Sequence, residues 1–387
     1  MKKTNSFGLI GIIVIIIITA LVSSITTGVI MLNNSSINLP NDKINISNDK
    51  NLKEFIELYE TLLTKYYDKI DKEEIIQAAK EGMVNYLGDD YTTYLKDSEY
   101  ENMINELSGT YNGIGVAING NLIVKVIPNT PAERAGLQPN DVIIKVNDQI
   151  VEGMNTSQIV KMIKDESTSE VNLEIKRNEQ ILKFTIKKET LENITISYEK
   201  IKNTSIGYIS LQNFSENLDK QVLKALNELE NEGISSLIID VRDNVGGYLS
   251  AAEQTASLFL EKGKTIYSLE TSETKYSYAD KTDKKTTYPI IVLMNGNSAS
   301  ASEILAAALK DSYGATLVGT NSYGKGKVQQ VISLDDSNPV KVSTAKWLRP
   351  TGVCIDGVGL TPDYNINFTG INGIDEQLEK AIELLSY

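Results

Sequence analysis

The pattern of apolar and polar positions changes character several times along the chain. Residues 7–32 form a long apolar run, densest from 8 to 18, broken later only by Thr, Ser and Gly and preceded by Lys2 and Lys3. About 20 apolar residues cross a bilayer as a helix, and flanking positive charge keeps its own side cytoplasmic. The pattern therefore predicts a transmembrane anchor at residues 1–32, with everything after it exported to the outer side of a cell membrane. The run is long for the core of a cleaved leader, and no clear Ala-x-Ala site follows it, so an anchor is the expectation. Residues 33–50 are rich in Asn, Ser and Asp and read as a polar linker with little to bury. Over residues 51–108 the period becomes helical. Leu52, Phe55, Ile56, Tyr59, Leu62 and Leu63 share one face, and Ile75, Ile76, Ala79 and Val84 repeat the pattern.

Between residues 109 and 190 short β-branched runs, at 123–127, 142–146, 171–176 and 182–187, are separated by turn residues and by two short helical stretches at 132–135 and 157–163. Gly113-Ile114-Gly115-Val116 stands at the front of this block, followed by Pro131-Ala132-Glu133-Arg134-Ala135-Gly136-Leu137 and Asn140-Asp141-Val142-Ile143. The order resembles a PDZ domain. A tight loop of backbone N–H groups, here Gly113, Ile114, Gly115 and Val116, can then hold the terminal carboxylate of a peptide that adds as a strand to a sheet edge.

From 191 to 387 strands alternate with helices. Strands are expected at 206–211, 237–241 and 290–294. Helices are expected at 218–230, from Asn244-Val245-Gly246-Gly247 through 260, from the serine segment through 310, and at 375–385. Further strands follow at 328–334 and 340–347. This is an α/β layer arrangement, in which sites collect at the carboxyl ends of strands. The fold class is thus α/β and multidomain.

Composition narrows the chemistry. A net charge of -13 opposes binding to a phosphate backbone, so nucleic acid is not an expected partner. The chain holds one cysteine, Cys354, and no histidine, which removes disulfides, the usual Cys/His metal sites and the usual general base. No metal or cofactor is expected. A reactive serine here needs another base, and a buried lysine whose charged form is disfavoured can serve. Ser298, Ser300 and Ser302 lie where the strand at 290–294 turns into a helix, near backbone N–H groups able to stabilise an oxyanion. Capping alone would also account for serines at a helix start, and composition does not select among the three. Gly319 to Gly326 approaches the phosphate-binding pattern G-x-x-x-x-G-K-[ST], but Gly326 replaces the metal-binding hydroxyl and a strand follows where that motif needs a helix. Lys325 between two glycines can instead approach another loop closely.

Together these segments resemble the carboxyl-terminal processing proteases, or tail-specific proteases, of bacteria and plastids, over roughly residues 52–385. The resemblance rests on Asp90-Tyr91-Thr92-Thr93-Tyr94-Leu95, the PDZ block, and Asp240-Val241-Arg242-Asp243-Asn244-Val245-Gly246-Gly247. It also rests on Ser298 to Glu303, Tyr323-Gly324-Lys325-Gly326-Lys327-Val328-Gln329-Gln330, and Gly359-Leu360-Thr361-Pro362-Asp363. It implies a serine endopeptidase with Ser300 as nucleophile, Lys325 as base, Gln329 in support, and the N–H groups of Gly246 and Ala301 as oxyanion donors. Val245 departs from the proline that many members carry. Protein or peptide substrates with accessible C-termini, and gating by the PDZ domain, are further expectations. A homo-oligomer is compatible with the resemblance. The rival readings are a PDZ-tethered binding scaffold on an inactive protease fold and a glycosidase with paired carboxylates, the latter without a motif.

Overall fold

The structure is a computed structural model that describes residues 49–95, 97–165, 167–283, 286–334 and 337–386. The apolar run at 7–32 and nearly all of the polar linker lie outside these residues; among the described residues no helix is long and apolar enough to cross a membrane. The chain divides into two compact units, Met1–Ala79 and Lys80–Tyr387.

Helix α1 (Lys50–Lys65) is opened by Asp49, whose carboxylate accepts the N–H of Asn51 at 2.9 Å. Its apolar residues do share a face, but none is buried, and Phe55 and Ile56 are 44% and 47% exposed. Helix α2 (Lys72–Tyr86) follows, then the two-residue strand β1 (Thr93–Tyr94) and helix α3 (Asp97–Leu107). Strand β1 was not signalled by periodicity, because two residues cannot display an alternation.

The chain enters the next module through β2 (Thr110–Gly113) and continues as β3 (Val116–Asn119), β4 (Leu122–Val126), α4 (Pro131–Ala135), β5 (Val142–Val146), β6 (Gln149–Ile150), α5 (Thr156–Lys164), β7 (Glu170–Arg177) and β8 (Gln180–Lys187). It leaves through β9 (Glu189–Glu192), which pairs antiparallel with β2, so entry and exit form a two-stranded neck. The sheet β3-β4-β5-β7-β8 buries Ile123, Ile143, Leu173 and Ile175, and α5 adds Ile159 and Ile163 to the same core. Helix α5 carries a capping box, with Asn155 and Gln158 each satisfying the other's backbone N–H. At its rim Asp141, 1% exposed in its side chain, binds Arg177 at 2.7 Å.

Beyond the neck come β10 (Ile196–Lys200), β11 (Ile206–Leu211), α6 (Leu218–Asn231), β12 (Ser236–Asp240), α7 (Leu249–Ala256), β13 (Thr265–Glu270), β14 (Lys275–Ala279), β15 (Ile290–Met294), α8 (Ala301–Ala308), β16 (Thr316–Gly319), β17 (Lys327–Leu334), β18 (Ser337–Leu348), β19 (Tyr364–Asn365) and α9 (Glu376–Leu385). A six-stranded sheet runs β10-β11-β12-β15-β16-β19, parallel except for β10. Its central strands β12 and β15 are buried on both faces, which is why they read as continuous apolar runs, whereas the edge strands β10 and β19 are largely exposed. Ile209, Leu237, Ile239, Val292 and Met294 meet α6, α7 and α8 on one side, while Ile238, Ile291, Leu293 and Val318 meet α9 on the other. A second sheet, β1-β18-β13-β14 with β17 on β18, stands beside it. The helix expected through residue 260 stops at Ala256, and the one expected through 310 changes to a wider turn at Leu309–Tyr313.

Candidate active site

Three parallel strands, β12, β15 and β16, deliver the chemistry-bearing loops from their carboxyl ends. After β12, Asn244 is fully buried and organises its loop. Its side-chain amide donates to Leu211 O at 2.8 Å, its Oδ1 accepts Gly246 N–H at 2.9 Å, and its carbonyl accepts Ala299 N–H at 3.0 Å and the Ser302 hydroxyl at 2.8 Å. Gly246 and Gly247 have φ of 105° and 153°, and a Cβ on Gly246 would lie 2.9 Å from Ser300 Cβ and 3.0 Å from Ala301 N. Only glycine lets the loop come this close to the serine.

The three serines separate by environment. Ser298 is buried, donating to Val241 O at 2.7 Å and accepting from Asn295 N. Ser302 is buried on Asn244. Their hydroxyls tie the segment to the neighbouring loop. Ser300 alone is half-exposed, and its hydroxyl bonds to no other segment of the described chain. It sits at the tip of the β15-to-α8 turn with φ 56° and ψ -115°, a conformation that costs a non-glycine residue on the order of 1–3 kcal/mol. A sharp strained strand-to-helix turn is how a nucleophilic serine is lifted clear of its neighbours. Ala301 opens α8, so its N–H has no intrahelical acceptor.

After β16, Ser322 to Gly326 bring the lysine in. A Cβ on Gly324 or Gly326 would strike the 356–359 loop, at 2.8 Å from Gly359 N and 2.6 Å from Asp356 Cβ. Lys325 is half-buried rather than a solvated turn residue, and its carbonyl accepts the Trp347 indole N–H at 2.9 Å. Burial pushes the Lys325 amine below the usual lysine range; the nearby Lys341 charge adds to this, and Glu303 and Asp89 oppose it.

Glu303, to which no role follows from residue type alone, joins the two loops. Glu303 is 1% exposed. Its Oε2 accepts the N–H groups of Ser300 at 2.8 Å and Lys325 at 2.9 Å, and its Oε1 accepts the Ser322 hydroxyl at 2.6 Å and Gly324 N–H at 2.7 Å. Burial raises its pKa, while these donors pull it back. The available signal was Ser300-x-x-Glu303, a capping-box spacing at a helix start.

The remaining expected residues fall as follows. Lys325 Nζ and Ser300 Oγ share no hydrogen bond; the amine lies 4.9 Å from the centroid of the Tyr91 ring. Gln329 donates to Ser343 Oγ at 3.2 Å and makes no bond to Lys325, at a point where the β17–β18 register shifts between Val328 and Gln329. Gly246 N–H is taken up by Asn244. In the smaller module Gly113 ends β2 and Val116 begins β3. Between them the carbonyls of Ile114 and Gly115 accept the N–H groups of Ala132 at 2.8 Å and Ile127 at 2.9 Å.

Residues 205–366 match peptidase family S41, residues 122–177 match the PDZ domain, and residues 20–99 match the N-terminal domain of the activating protease CtpB. The carboxy-terminal processing protease CtpA of Bacillus subtilis is 34% identical over 354 residues, covering 90% of this chain and 75% of that protein. CtpB of the same organism is 35% identical over 326 residues, 82% of this chain and 68% of that protein. Among solved structures, the photosystem II D1 C-terminal processing protease is 25% identical with a TM-score of 0.50, over 86% of this chain and 91% of that one. With a relative this similar over most of both lengths, the chain belongs to the carboxy-terminal processing proteases of peptidase family S41, serine-type enzymes that here carry a PDZ domain.

Proposed function

We propose that this protein is an exported, membrane-anchored endopeptidase that cuts protein substrates near their C-termini with Ser300 as nucleophile and Lys325 as general base. The neutral Lys325 amine takes the Ser300 hydroxyl proton as Oγ attacks the scissile carbonyl, and Lys325 becomes an ammonium. The resulting oxyanion is stabilised by the N–H groups of Ala301 and Gly246. Collapse breaks the C–N bond as the ammonium returns its proton to the leaving nitrogen. Water, deprotonated by the same amine, then releases the acyl group and restores Ser300.

The observation that carries this reading is the Glu303 carboxylate, one of whose oxygens holds the backbone of both reacting residues. The strain at Ser300, whose half-exposed hydroxyl is engaged only within its own turn, and the lowered basicity of Lys325 support it. The same geometry corresponds to a resting state. Pairing requires Lys325 Nζ to swing from Tyr91 to Ser300, Gly246 N–H to part from Asn244, and Gln329 to turn from Ser343 to the amine. Catalytic hydrogen bonds commonly tighten only when substrate binds.

The PDZ module, residues 109–190, supplies a reason for such a change. Substrate C-termini would be captured at Gly113 to Val116, and movement about the two-stranded neck would gate the core at 191–387. The lead-in at 51–108, the linker at 33–50 and the anchor at 1–32 would tether both to the outer face of a membrane. Lys2, Lys3 and the apolar run support that placement.

The test is peptide cleavage by the wild type, Ser300→Ala and Lys325→Arg. Arginine keeps the charge but does not release its proton at working pH, so both variants are expected to lose turnover completely. Turnover retained in Lys325→Arg assigns the base elsewhere, and turnover retained in Ser300→Ala removes the nucleophile.

A further inference from the structure

The segment from Asp89 to Leu95 has no part in the reaction written above, yet it lies against the base. Asp89 accepts the Lys327 ammonium at 2.9 Å and the Thr92 hydroxyl, Thr92 Oγ1 accepts Ser343 N–H at 3.0 Å, and β1 pairs antiparallel with Lys341 and Val340 of β18. These contacts fix the intervening Tyr91 so that Lys325 Nζ stands 4.9 Å, and Lys327 Nζ 5.7 Å, from its ring centroid. The two lysines differ in their partners. Lys327 has the Asp89 carboxylate, whereas Lys325 makes no ion pair among the described residues. The charged groups around Lys325 are Lys341 on β18, Lys327 on β17, Glu303 on α8 and Asp89. Around Tyr91 stand Tyr323, Asp356 and Asp90; with burial as the largest cause, the phenol is pushed up to about 12, so the ring faces the amine uncharged.

We propose that Tyr91 is a positioning residue for the catalytic base: its ring is a parking surface for protonated Lys325, which leaves it to take the Ser300 proton. The inference rests on Lys325 being the base. A ring face attracts a cation through its quadrupole and does little for a neutral amine. Parking therefore holds the lysine in the form that cannot act and away from Ser300. The acid limb of the rate profile then sits higher than burial alone would put it.

The test is the pH dependence of kcat/KM for peptide cleavage by the full chain. Tyr91→Leu keeps apolar bulk without a π face and is expected to move the acid limb down by about half a unit to one unit. Turnover one unit below the wild-type limb then rises about three- to sixfold, and about three- to tenfold well below it. Tyr91→Phe keeps the ring and leaves the limb in place. Pentafluorophenylalanine at position 91 keeps the ring's shape but reverses its quadrupole; it must move the limb as leucine does, and it decides the matter if the leucine variant does not fold.

A limb that stays or rises in the leucine or fluorinated variant, or one that moves equally in Tyr91→Phe, overturns the proposal. Lys325→Met separates the two levels. If it is inactive while the limb is unmoved in Tyr91→Leu, only the parking role fails. If it turns over with the wild-type limb, the base assignment fails and the parking role goes with it.

Discussion

Replacing Glu303 with glutamine removes a charge and one acceptor while keeping the side chain's size, and the structure indicates which bonds give way. The carboxylate accepts four donors, two on each oxygen. An amide NH2 on the Oε2 side would face both the Ser300 and Lys325 N–H groups. On the Oε1 side it faces Gly324 N–H and the Ser322 hydroxyl, and a hydroxyl can turn to accept. The amide therefore adopts the second orientation and leaves one buried N–H, that of Gly324, without a partner. This costs about 1–3 kcal/mol, and losing charge assistance in the other bonds costs about 1 more. Relief from burying a charge offsets part of this, because burial raises the Glu303 pKa.

The net expectation for Glu303→Gln is a loss of about 1–3 kcal/mol, or roughly 3–10 °C in the melting temperature of the protease core. A fall in kcat/KM of at least about tenfold is expected alongside it, since the frame joining the Ser300 and Lys325 loops loosens. The pH dependence supplies a sign. A carboxyl whose folded pKa exceeds its unfolded value binds more protons when folded, so its contribution to stability declines as pH rises from the unfolded value through the raised one. The gap in melting temperature between wild type and Glu303→Gln should therefore narrow across that window. Calorimetry at several pH values with parallel peptide cleavage decides. A variant that melts within a degree of wild type and retains more than half its activity refutes the claim that this carboxylate holds the site together.

Gly246→Ala places a Cβ 2.9 Å from Ser300 Cβ on a backbone with φ 105°; strain of about 1–3 kcal/mol at the site should lower kcat/KM by about five- to a hundredfold. Gly263→Ala, with φ 85° and nothing within 4 Å, is the control that should melt lower and cleave normally, and equal loss of activity in both would refute a local cause. Arg242→Met removes a guanidinium that bonds Asp240 at 2.6 Å and Asp375 at 2.8 Å, leaving one carboxylate at the end of β12 and one at the start of α9 without their counter-ion. Urea unfolding should report about 3–5 kcal/mol lost, and a change under about 1 kcal/mol would show the pair to be solvated.

The middle strands β11, β12 and β15 of the central sheet were legible because strands covered on both faces favour apolar runs, while β16 and the edge strands β10 and β19 were not expected. Ile206–Leu211 and Ile290–Met294 fell where the pattern placed them. Strands β13 and β14 were missed. In β14 the exposed Lys275, Tyr276 and Ser277 mix with half-buried Tyr278 and Ala279, so the hairpin depends on the partner strand β18 rather than on its own alternation. The open apolar face of α1 shows the converse, since periodicity reports that a face exists and not that it is covered. In the site, residue types and local spacing pointed to Ser300 and Lys325 through the resemblance, but no local signal distinguished Ser300 from Ser298 and Ser302. Burial and the Asn244 and Val241 carbonyls make that distinction, and both partners lie far away in sequence.

Tyr91 and Glu303 hold the same lysine by different parts, and under the proposed mechanism that division keeps the amine both available and restrained. Glu303 holds the backbone N–H of Lys325 together with that of Ser300, so the separation of their Cα positions is set by a single buried group. The ring of Tyr91 meets only the mobile end of the side chain. Strengthening the first contact favours catalysis at every pH, whereas strengthening the second holds back the protonated amine and leaves the neutral one free. The ring contact opposes turnover only while the amine is protonated, by about three- to tenfold, and a bound substrate can supply that much.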